Sequence, residues 1–170
     1  LLLSEKNITD LAGIASLTVE DSGRQVPVTS ANRLHVFLNR NEISTLPDEM
    51  AALKNVVILY IEHNKLSVLP SALMQMDNLE GMYFTANRFT EIPAFVFQMT
   101  RLKKLQFSKN QLTVLPEELG NLKRLIHFNM SDNHIASIPQ SIAKLTRLRV
   151  CDLSDNPFSS LPDAFGEVHI

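Results

Sequence analysis

The sequence predicts an α/β solenoid built from six stacked copies of one 23-residue unit. Three observations lead to this fold class: an Asn recurs every 23 residues, a Pro follows each Asn by six positions, and apolar residues flank the Asn at fixed offsets. One such unit cannot bury its apolar face alone, so we expect the units to stack. The Asn and Pro positions are Asn41, Asn64, Asn87, Asn110, Asn133 and Asn156, and Pro47, Pro70, Pro93, Pro116, Pro139 and Pro162.

Each unit begins with a predicted short strand, because apolar and variable residues alternate ahead of the Asn. In the second unit, Leu59 and Ile61 alternate with Tyr60 and Glu62. The Asn then marks the turn after the strand. Its amide has donors and an acceptor, so we expect it to bond backbone groups of its own unit and of the adjacent one.

A short helical segment, α or 3-10, is predicted after the Pro of each unit. Proline suits the first turn because the N–H that it lacks has no partner there, and acids such as Asp48 and Glu49 suit the helix dipole. Apolar residues then recur at helical spacing, and we expect them to face the core. These pairs are Met50/Leu53, Leu73/Met76, Val96/Met99, Leu119/Leu122, Ile142/Leu145 and Phe165/Val168.

The repeated pattern L-x-x-L-x-L-x-x-N-x-L, followed by L-P-x-x-I-x-x-L, resembles the leucine-rich repeat family over about residues 33–170. The resemblance implies a curved horseshoe with parallel strands on its concave side, helical segments on its convex side and a role in protein binding. The unit is also similar to repeats of intracellular proteins and of bacterial effectors delivered into host cells. Arg33 stands where the first repeat should carry Leu, so we expect an irregular junction there.

The residues before the repeats, 1–32, are predicted to cap the exposed end of the solenoid. Residues 7–17 place apolar side chains on one face of a predicted helix, which Asn7 or Thr9 would cap. Residues 17–29 predict two short strands around a turn. An independent binding element is the alternative to a cap. Because the chain lacks an initial Met and stops within the sixth helical segment, we expect a longer native chain.

Composition narrows the function classes. A net charge of −2 and a pI near 6.2 give no general reason for binding nucleic acid, and no apolar run is long enough to enter a membrane. The single cysteine, Cys151, favours a reducing compartment. We therefore expect a monomeric cytoplasmic protein or, were it a bacterial effector, one secreted into the host cell.

Aromatic side chains are confined to one part of the predicted concave face. Phe37, Tyr60 and Tyr83 lie on three consecutive strands and point out of the sheet, with Ile58 beside them and Gly81 leaving space. Exposed aromatics of this kind are typical binding anchors, although cross-strand stacking that stiffens the sheet is the alternative. The predicted partner-binding residues are Phe37, Tyr60, Tyr83, His35, Ile58, Glu62, Arg40, Lys104, Gln106 and Asp152.

Three further patches carry two interpretations each, one of them purely structural. Asp132, Asp152 and Asp155 form a solvated acidic face or contact a basic segment of the same partner. Arg101, Arg124 and Arg147 form a solvated edge or contact an acidic partner. Met74, Phe95 and Phe97 pack between helical segments or mark a second contact on the convex side.

No catalytic arrangement is predicted. Cys151 occupies a core position, His35 and His127 lie four strands apart, and no glycine-rich phosphate loop is present. We therefore predict no enzyme, metal or cofactor, but a protein-interaction module that binds a protein or peptide on its concave face, in signalling or as an effector. The alternatives are a substrate-targeting domain of a larger enzyme, such as a ubiquitin ligase, and a surface protein that recognises carbohydrate or lipid.

Overall fold

The structure, a computed structural model, describes residues 1–167 of the chain. A hairpin of two strands precedes a parallel sheet whose strands alternate with short 3-10 helices. The strands are β1 (Thr18–Asp21), β2 (Arg24–Pro27), β3 (Leu34–Phe37), β4 (Val56–Tyr60), β5 (Gly81–Tyr83), β6 (Lys104–Gln106), β7 (His127–Asn129) and β8 (Val150–Asp152). The 3-10 helices are Ile14–Ser16, Asp48–Ala52, Ser71–Gln75, Ala94–Gln98, Glu117–Asn121, Gln140–Lys144 and Asp163–Glu167.

Strands β3 to β8 form one parallel sheet in sequence order, which confirms the predicted solenoid. Tyr60 pairs with Tyr83, so the 23-residue period fixes the register. The irregular first junction is also confirmed: Leu34 pairs with Val56 but His35 pairs with Ile58, which shifts the register by one residue. Leu34 is buried and so supplies the apolar side chain that Arg33 cannot.

The core runs the length of the solenoid between the sheet and the 3-10 helices. The predicted helical pairs face it; Met50 and Leu53, for example, are both fully buried. Phe84, Phe89 and Phe107 form an internal aromatic cluster, with ring centroids of Phe107 5.1 Å from each of the other two. Val168, predicted to pack beside Phe165, lies outside the described residues.

A ladder of buried asparagines joins the repeats, as predicted. The Asn64 amide nitrogen donates to the carbonyls of Ile61 in its own repeat and Leu38 in the preceding one, at 3.3 and 2.9 Å. Its Oδ1 accepts the N–H of Ile43 at 3.0 Å. Each Asn thereby satisfies backbone groups that the turn would otherwise leave buried and unpaired.

The prolines lie at the N-caps of the 3-10 helices, immediately before the first helical residue. Pro47 has φ −75° and ψ 149°, and its carbonyl accepts the N–H of Met50 at 3.1 Å, which closes the first turn. The segments are five residues long and 3-10 in type, within the range that the sequence predicted. Within residues 1–167, no helix is long and apolar enough to span a bilayer.

Residues 1–8 occupy the strand and turn of a further repeat, which differs from the predicted cap over 1–32. Leu3 donates its N–H to the Phe37 carbonyl at 2.8 Å, and Leu2 forms a parallel bridge with Phe37. Asn41 donates to the Leu3 carbonyl at 2.7 Å and accepts the Ile8 N–H at 3.0 Å, as Asn64 does one repeat later. Within residues 1–167, the segment that lies outside the repeat pattern is therefore 9–32.

The predicted helix over residues 7–17 is wrong, because only Ile14–Ser16 forms a single 3-10 turn. The backbone of Ile8 is already bonded to Asn41, and the Asp10 carboxylate accepts the Ala12 N–H at 2.9 Å in a local turn. Gly13 then adopts φ 79°, which a helix cannot contain. The predicted hairpin is confirmed as antiparallel β1 and β2.

Candidate partner-binding surface

The rings of Phe37, Tyr60 and Tyr83 form one continuous stack on the concave face. Phe37 and Tyr60 have ring centroids 4.6 Å apart and planes 6° apart, and Tyr60 and Tyr83 are 4.5 Å and 25° apart. The parallel strands hold the rings at this spacing, because equivalent residues of adjacent strands lie about 4.8 Å apart. All three side chains are half-buried, so ring edges remain open to solvent.

Gly81 and Ile58 lie next to this stack. A methyl group at Gly81 would lie 3.3 Å from an Ile58 side-chain carbon and 3.4 Å from the Tyr83 ring. The absence of a side chain at Gly81 therefore lets Ile58 and Tyr83 close over the backbone of β5. The predicted role of Gly81 in leaving space is confirmed at atomic level.

Leu2 extends the line of Phe37, Tyr60 and Tyr83 by one strand, and the sequence analysis missed it. Its bridge to Phe37 places it at the position that Phe37, Tyr60 and Tyr83 occupy on their strands. The Leu2 side chain is 75 % exposed, the most exposed of the large apolar side chains in the described part of the chain. We call the row formed by Leu2, Phe37, Tyr60 and Tyr83 the apolar row. The position of Leu2 could have been predicted from the spacing of Leu1, Leu3 and Ile8, which matches that of Val36, Leu38 and Ile43.

Polar side chains border the apolar row on both sides. The His35 ring meets the Phe37 ring edge-on at a centroid distance of 6.4 Å, and Lys104 Nζ lies 6.0 Å from the centre of the Tyr83 ring. Desolvation raises the pKa of Tyr60, with the adjacent Tyr83 as the second cause. Desolvation also raises the pKa of Glu62, which is half-buried two residues after the end of β4. Both side chains are half-buried in the absence of a partner.

Three predicted site residues are not part of the ring stack. Arg40 belongs to the turn after β3, with φ 55°, and its guanidinium approaches the Glu5 carboxylate at 3.8 Å. Gln106 follows Tyr83 on the next strand and so continues the row with a polar group. Asp152 lies three strands beyond Tyr83, about 14 Å away. Hydrogen bonds from Ser154 lower the pKa of Asp152.

The turn after each strand uses the left-handed backbone region, which the sequence analysis did not anticipate. The residue before each repeat Asn has φ between 54° and 56°, although none of them is Gly. This bend sends the chain from the concave sheet toward the core, so these side chains line the rim. The residues are Arg40, His63, Ala86, Lys109, Asp132 and Asp155.

Chemistry-bearing groups are sparse on this face. Within residues 1–167, no group of three His, Cys, Asp or Glu side chains is placed to hold a metal ion. Burial, followed by the charge of Asp152, raises the pKa of Cys151 to about 11. The thiol therefore stays protonated at neutral pH, as the core position of Cys151 predicted.

The convex patch is smaller than predicted. Phe97 is buried in the core and offers no external surface. Met74 remains 43 % exposed, and Phe95 packs partly against the core. Met74, Phe95 and Met99 line a shallow groove of about 380 Å³, whose walls also carry Asp77 and Arg101.

Sequence comparison identifies the repeats. The profile of the leucine rich repeat family matches residues 77–135 and again 101–158. A leucine-rich repeat protein of Leptospira interrogans shares 27 % identity and a TM-score of 0.76, over 85 % of this chain and 39 % of its own. The chain is a leucine-rich repeat protein.

Other solved leucine-rich repeat structures share the fold. An internalin of Listeria monocytogenes has 20 % identity and a TM-score of 0.72, over 95 % of this chain and 42 % of its own. The Arabidopsis receptor kinase HAESA, solved with the peptide hormone IDA and the co-receptor SERK1, has 26 % identity and a TM-score of 0.69, over 77 % and 23 %. This leucine-rich repeat chain therefore spans less than half the length of these relatives. No curated protein sequence matches it.

The leucine-rich repeat fold is a common module for binding proteins and peptides. The repeat requires inward-facing Leu59 and Ile61 in β4, both fully buried, but it does not require an aromatic ring at the outward-facing Tyr60. The apolar row is thus a property of this leucine-rich repeat protein beyond what the repeat demands.

Proposed function

We propose that this leucine-rich repeat chain is a protein-interaction module that binds an extended peptide or protein segment across its concave face. The apolar row, Leu2, Phe37, Tyr60 and Tyr83, is the observation that carries the proposal. Stacking accounts for the ring faces but leaves the ring edges on the surface. Aromatic and apolar side chains that are grouped in this way are typical anchors for a partner.

The geometry favours a partner with apolar side chains at one end and polar groups at the other. Along the line of equivalent positions that contains Tyr60, the concave face is apolar from Leu2 to Tyr83, then polar from Gln106 to Asp152. His35, Ile58, Glu62 and Lys104 border the apolar part, where they can fix the direction of a bound segment. A preformed sheet also loses little conformational entropy on binding.

The solved complex of HAESA with a peptide hormone supports a peptide partner for a protein of this fold. We further propose that the chain acts by binding, with no catalytic chemistry of its own, and as a monomer. A cytoplasmic location and an effector or signalling role remain predictions, which rest on the single cysteine and on the type of repeat.

The proposal is tested by selecting binders from a displayed library of random peptides and measuring their affinity by calorimetry. Tyr60→Ala combined with Tyr83→Ala removes two neighbouring members of the apolar row. We expect at least ~2 kcal/mol of binding free energy to be lost, about thirtyfold in affinity. Circular dichroism establishes that the double variant is folded.

The matched control replaces two exposed apolar side chains outside the concave strands, Val68→Ala with Val114→Ala, which are 60 % and 50 % exposed. This control should bind the selected peptides as the original protein does. Unchanged affinity in the folded tyrosine double variant would reject the apolar row as the binding site. Selected peptides that resemble the substrates of a ubiquitin ligase would favour the targeting-domain alternative.

A further inference from the structure

Positive charges collect along one edge of the last three repeats. We call this surface the basic edge: it consists of side chains in the turns that lead into β6, β7 and β8, immediately before each strand. The residues are Arg101, Lys103, Lys123, Arg124, Arg147 and Arg149. Arg101, Arg124 and Arg147 occupy equivalent positions 23 residues apart and form a row across the repeats, near the beginning of the strands, and Lys103, Lys123 and Arg149 flank this row.

Five of these six cations have no acidic partner within residues 1–167. Arg101 donates to the Asn78 side chain at 2.9 Å, and Lys103 lies 3.0 Å from the Glu80 carboxylate. No acidic side chain of the described chain forms an ion pair with the other four, Lys123, Arg124, Arg147 and Arg149. The sequence explains why, since Asp132 is the only acidic residue between Glu118 and Asp152.

The basic edge is grooved. One groove of about 700 Å³ lies between the third and fourth repeats and is lined by Phe97, Thr100, Arg101, Lys123 and Arg124, among others. A second groove of about 430 Å³ is lined by Ile126, Thr146, Arg147, Leu148 and Arg149. Side chains of a partner can therefore enter between the cations, where carboxylates would meet guanidinium groups from two sides.

We propose that the basic edge binds an acidic segment of a partner protein. Arg101, Arg124 and Arg147 recur at the strand spacing of about 4.8 Å, and acids one turn apart on a helix are about 5–6 Å apart, so a helix with one acidic face matches this row. Arg is also the side chain best suited to paired bonds with carboxylates.

A long polyanion fits the molecule less well than a short acidic segment. The whole chain carries a net charge of −2, so the surface outside the basic edge is net negative. Asp132, Asp152 and Asp155 stand at the opposite side of the same repeats, where they would repel a nucleic acid or an anionic membrane that extended past the edge. These observations favour a compact acidic partner element.

The basic edge is independent of the apolar row. It lies along the turns that lead into β6, β7 and β8, whereas the apolar row lies on residues 1–8 and on β3, β4 and β5. Lys104 joins the two, because it begins β6 beside Lys103 and reaches over the Tyr83 ring. A single partner can contact both surfaces, but the binding role of each surface is tested separately.

The test uses a fluorescein-labelled helical peptide with Glu at every fourth position and a matched peptide with Gln in place of Glu. Fluorescence anisotropy should show that the Glu peptide binds about tenfold more tightly than the Gln peptide and weakens as salt is added. Arg124→Glu with Arg147→Glu should reduce the affinity about tenfold or more. The milder Arg124→Gln with Arg147→Gln should reduce it less, and it replaces the first pair if that pair unfolds.

The control pair, Arg24→Glu with Arg88→Glu, changes net charge equally but alters exposed cations elsewhere and should leave the affinity unchanged. Equal losses in both pairs, or no binding of the Glu peptide, would overturn the proposal. Tighter binding of single-stranded DNA or of phosphatidylserine vesicles at Arg124 and Arg147 would also overturn it, in favour of a polyanion site. Tyr60→Ala with Tyr83→Ala should still bind the Glu peptide, which separates this test from that of the proposed function.

Discussion

The ring of Phe37 lies almost parallel to that of Tyr60, with centroids 4.6 Å and planes 6° apart, although 23 residues separate them in the chain. The contact joins the first and second repeats from the outside, opposite the buried core contacts that join them from the inside. Such cross-strand pairs contribute to sheet stability, so the apolar row has a structural role beside its proposed role in binding.

Removal of the stack should lower stability only modestly. Tyr60→Leu keeps apolar bulk but loses both ring contacts, and we expect the free energy of unfolding to fall by about 1 kcal/mol. Tyr60→Phe keeps the stack and should stay close to the original value. Urea denaturation measures both variants, and equal stability of the two would show that stacking itself contributes nothing.

Substitutions in the asparagine ladder should lower the free energy of unfolding far more. Asn87 is buried, donates to the carbonyls of Ile61 and Phe84 at 2.8 and 3.1 Å, and accepts the Leu66 N–H at 3.0 Å. Asn87→Ala leaves these backbone groups unpaired, so the unfolding free energy should fall by about 3 kcal/mol.

The control for Asn87 is Asn121→Ala, since Asn121 is exposed. Thermal unfolding followed by circular dichroism compares the two variants with the original protein. A loss at Asn121 as large as that at Asn87 would contradict a special role for the ladder.

Gly120 sets how closely the fourth and fifth repeats approach. A Cβ there would lie 2.7 Å from Ser141 Cβ and 3.0 Å from the Ser141 carbonyl oxygen. Gly120→Ala must therefore push the 3-10 helices Glu117–Asn121 and Gln140–Lys144 apart, and we expect a loss of about 1–3 kcal/mol in denaturant unfolding. Gly166→Ala, where a Cβ meets open space, should cost far less.

Cys151 should be unreactive in the folded protein. Its pKa is raised to about 11, so the thiolate that reacts with iodoacetamide is scarce at pH 8. Alkylation measured by mass spectrometry should be slow until denaturant is added. Because the folded pKa is the higher one, ionisation of this thiol should lower stability only as the pH rises above about 9. Rapid native alkylation would contradict this burial.

The repeat was predictable because each of its recurring positions meets one physical requirement. Leu59 and Ile61 had to face the core, Asn64 had to bond the turn, and Pro70 had to precede a helical segment. These needs recur in every repeat, so the evidence in the sequence accumulates. The outward-facing Tyr60 was also predictable, since the strand period of two places it opposite the buried residues.

Residues 1–8 were not recognised as part of the sheet because two signals of the repeat are missing. Lys6 occupies the position of the repeat Asn, and residues 9–32 are inserted before the next strand. The false helix over 7–17 arose from apolar spacing alone, which cannot show that the Ile8 backbone is already bonded to Asn41. The left-handed turn was missed because Arg40 and its equivalents are not the Gly that such a turn favours.

The position of Leu1 has a practical consequence for how the protein is handled. Its amino group donates to the His35 carbonyl at 2.8 Å, at the start of the row that ends in Tyr83. A purification tag or a fluorescent protein joined to Leu1 would therefore emerge beside Phe37 and compete with ligands for that surface. Attachment through a residue introduced at Val114, which is 50 % exposed and lies outside the concave strands, leaves the aromatic side of the horseshoe open to solution.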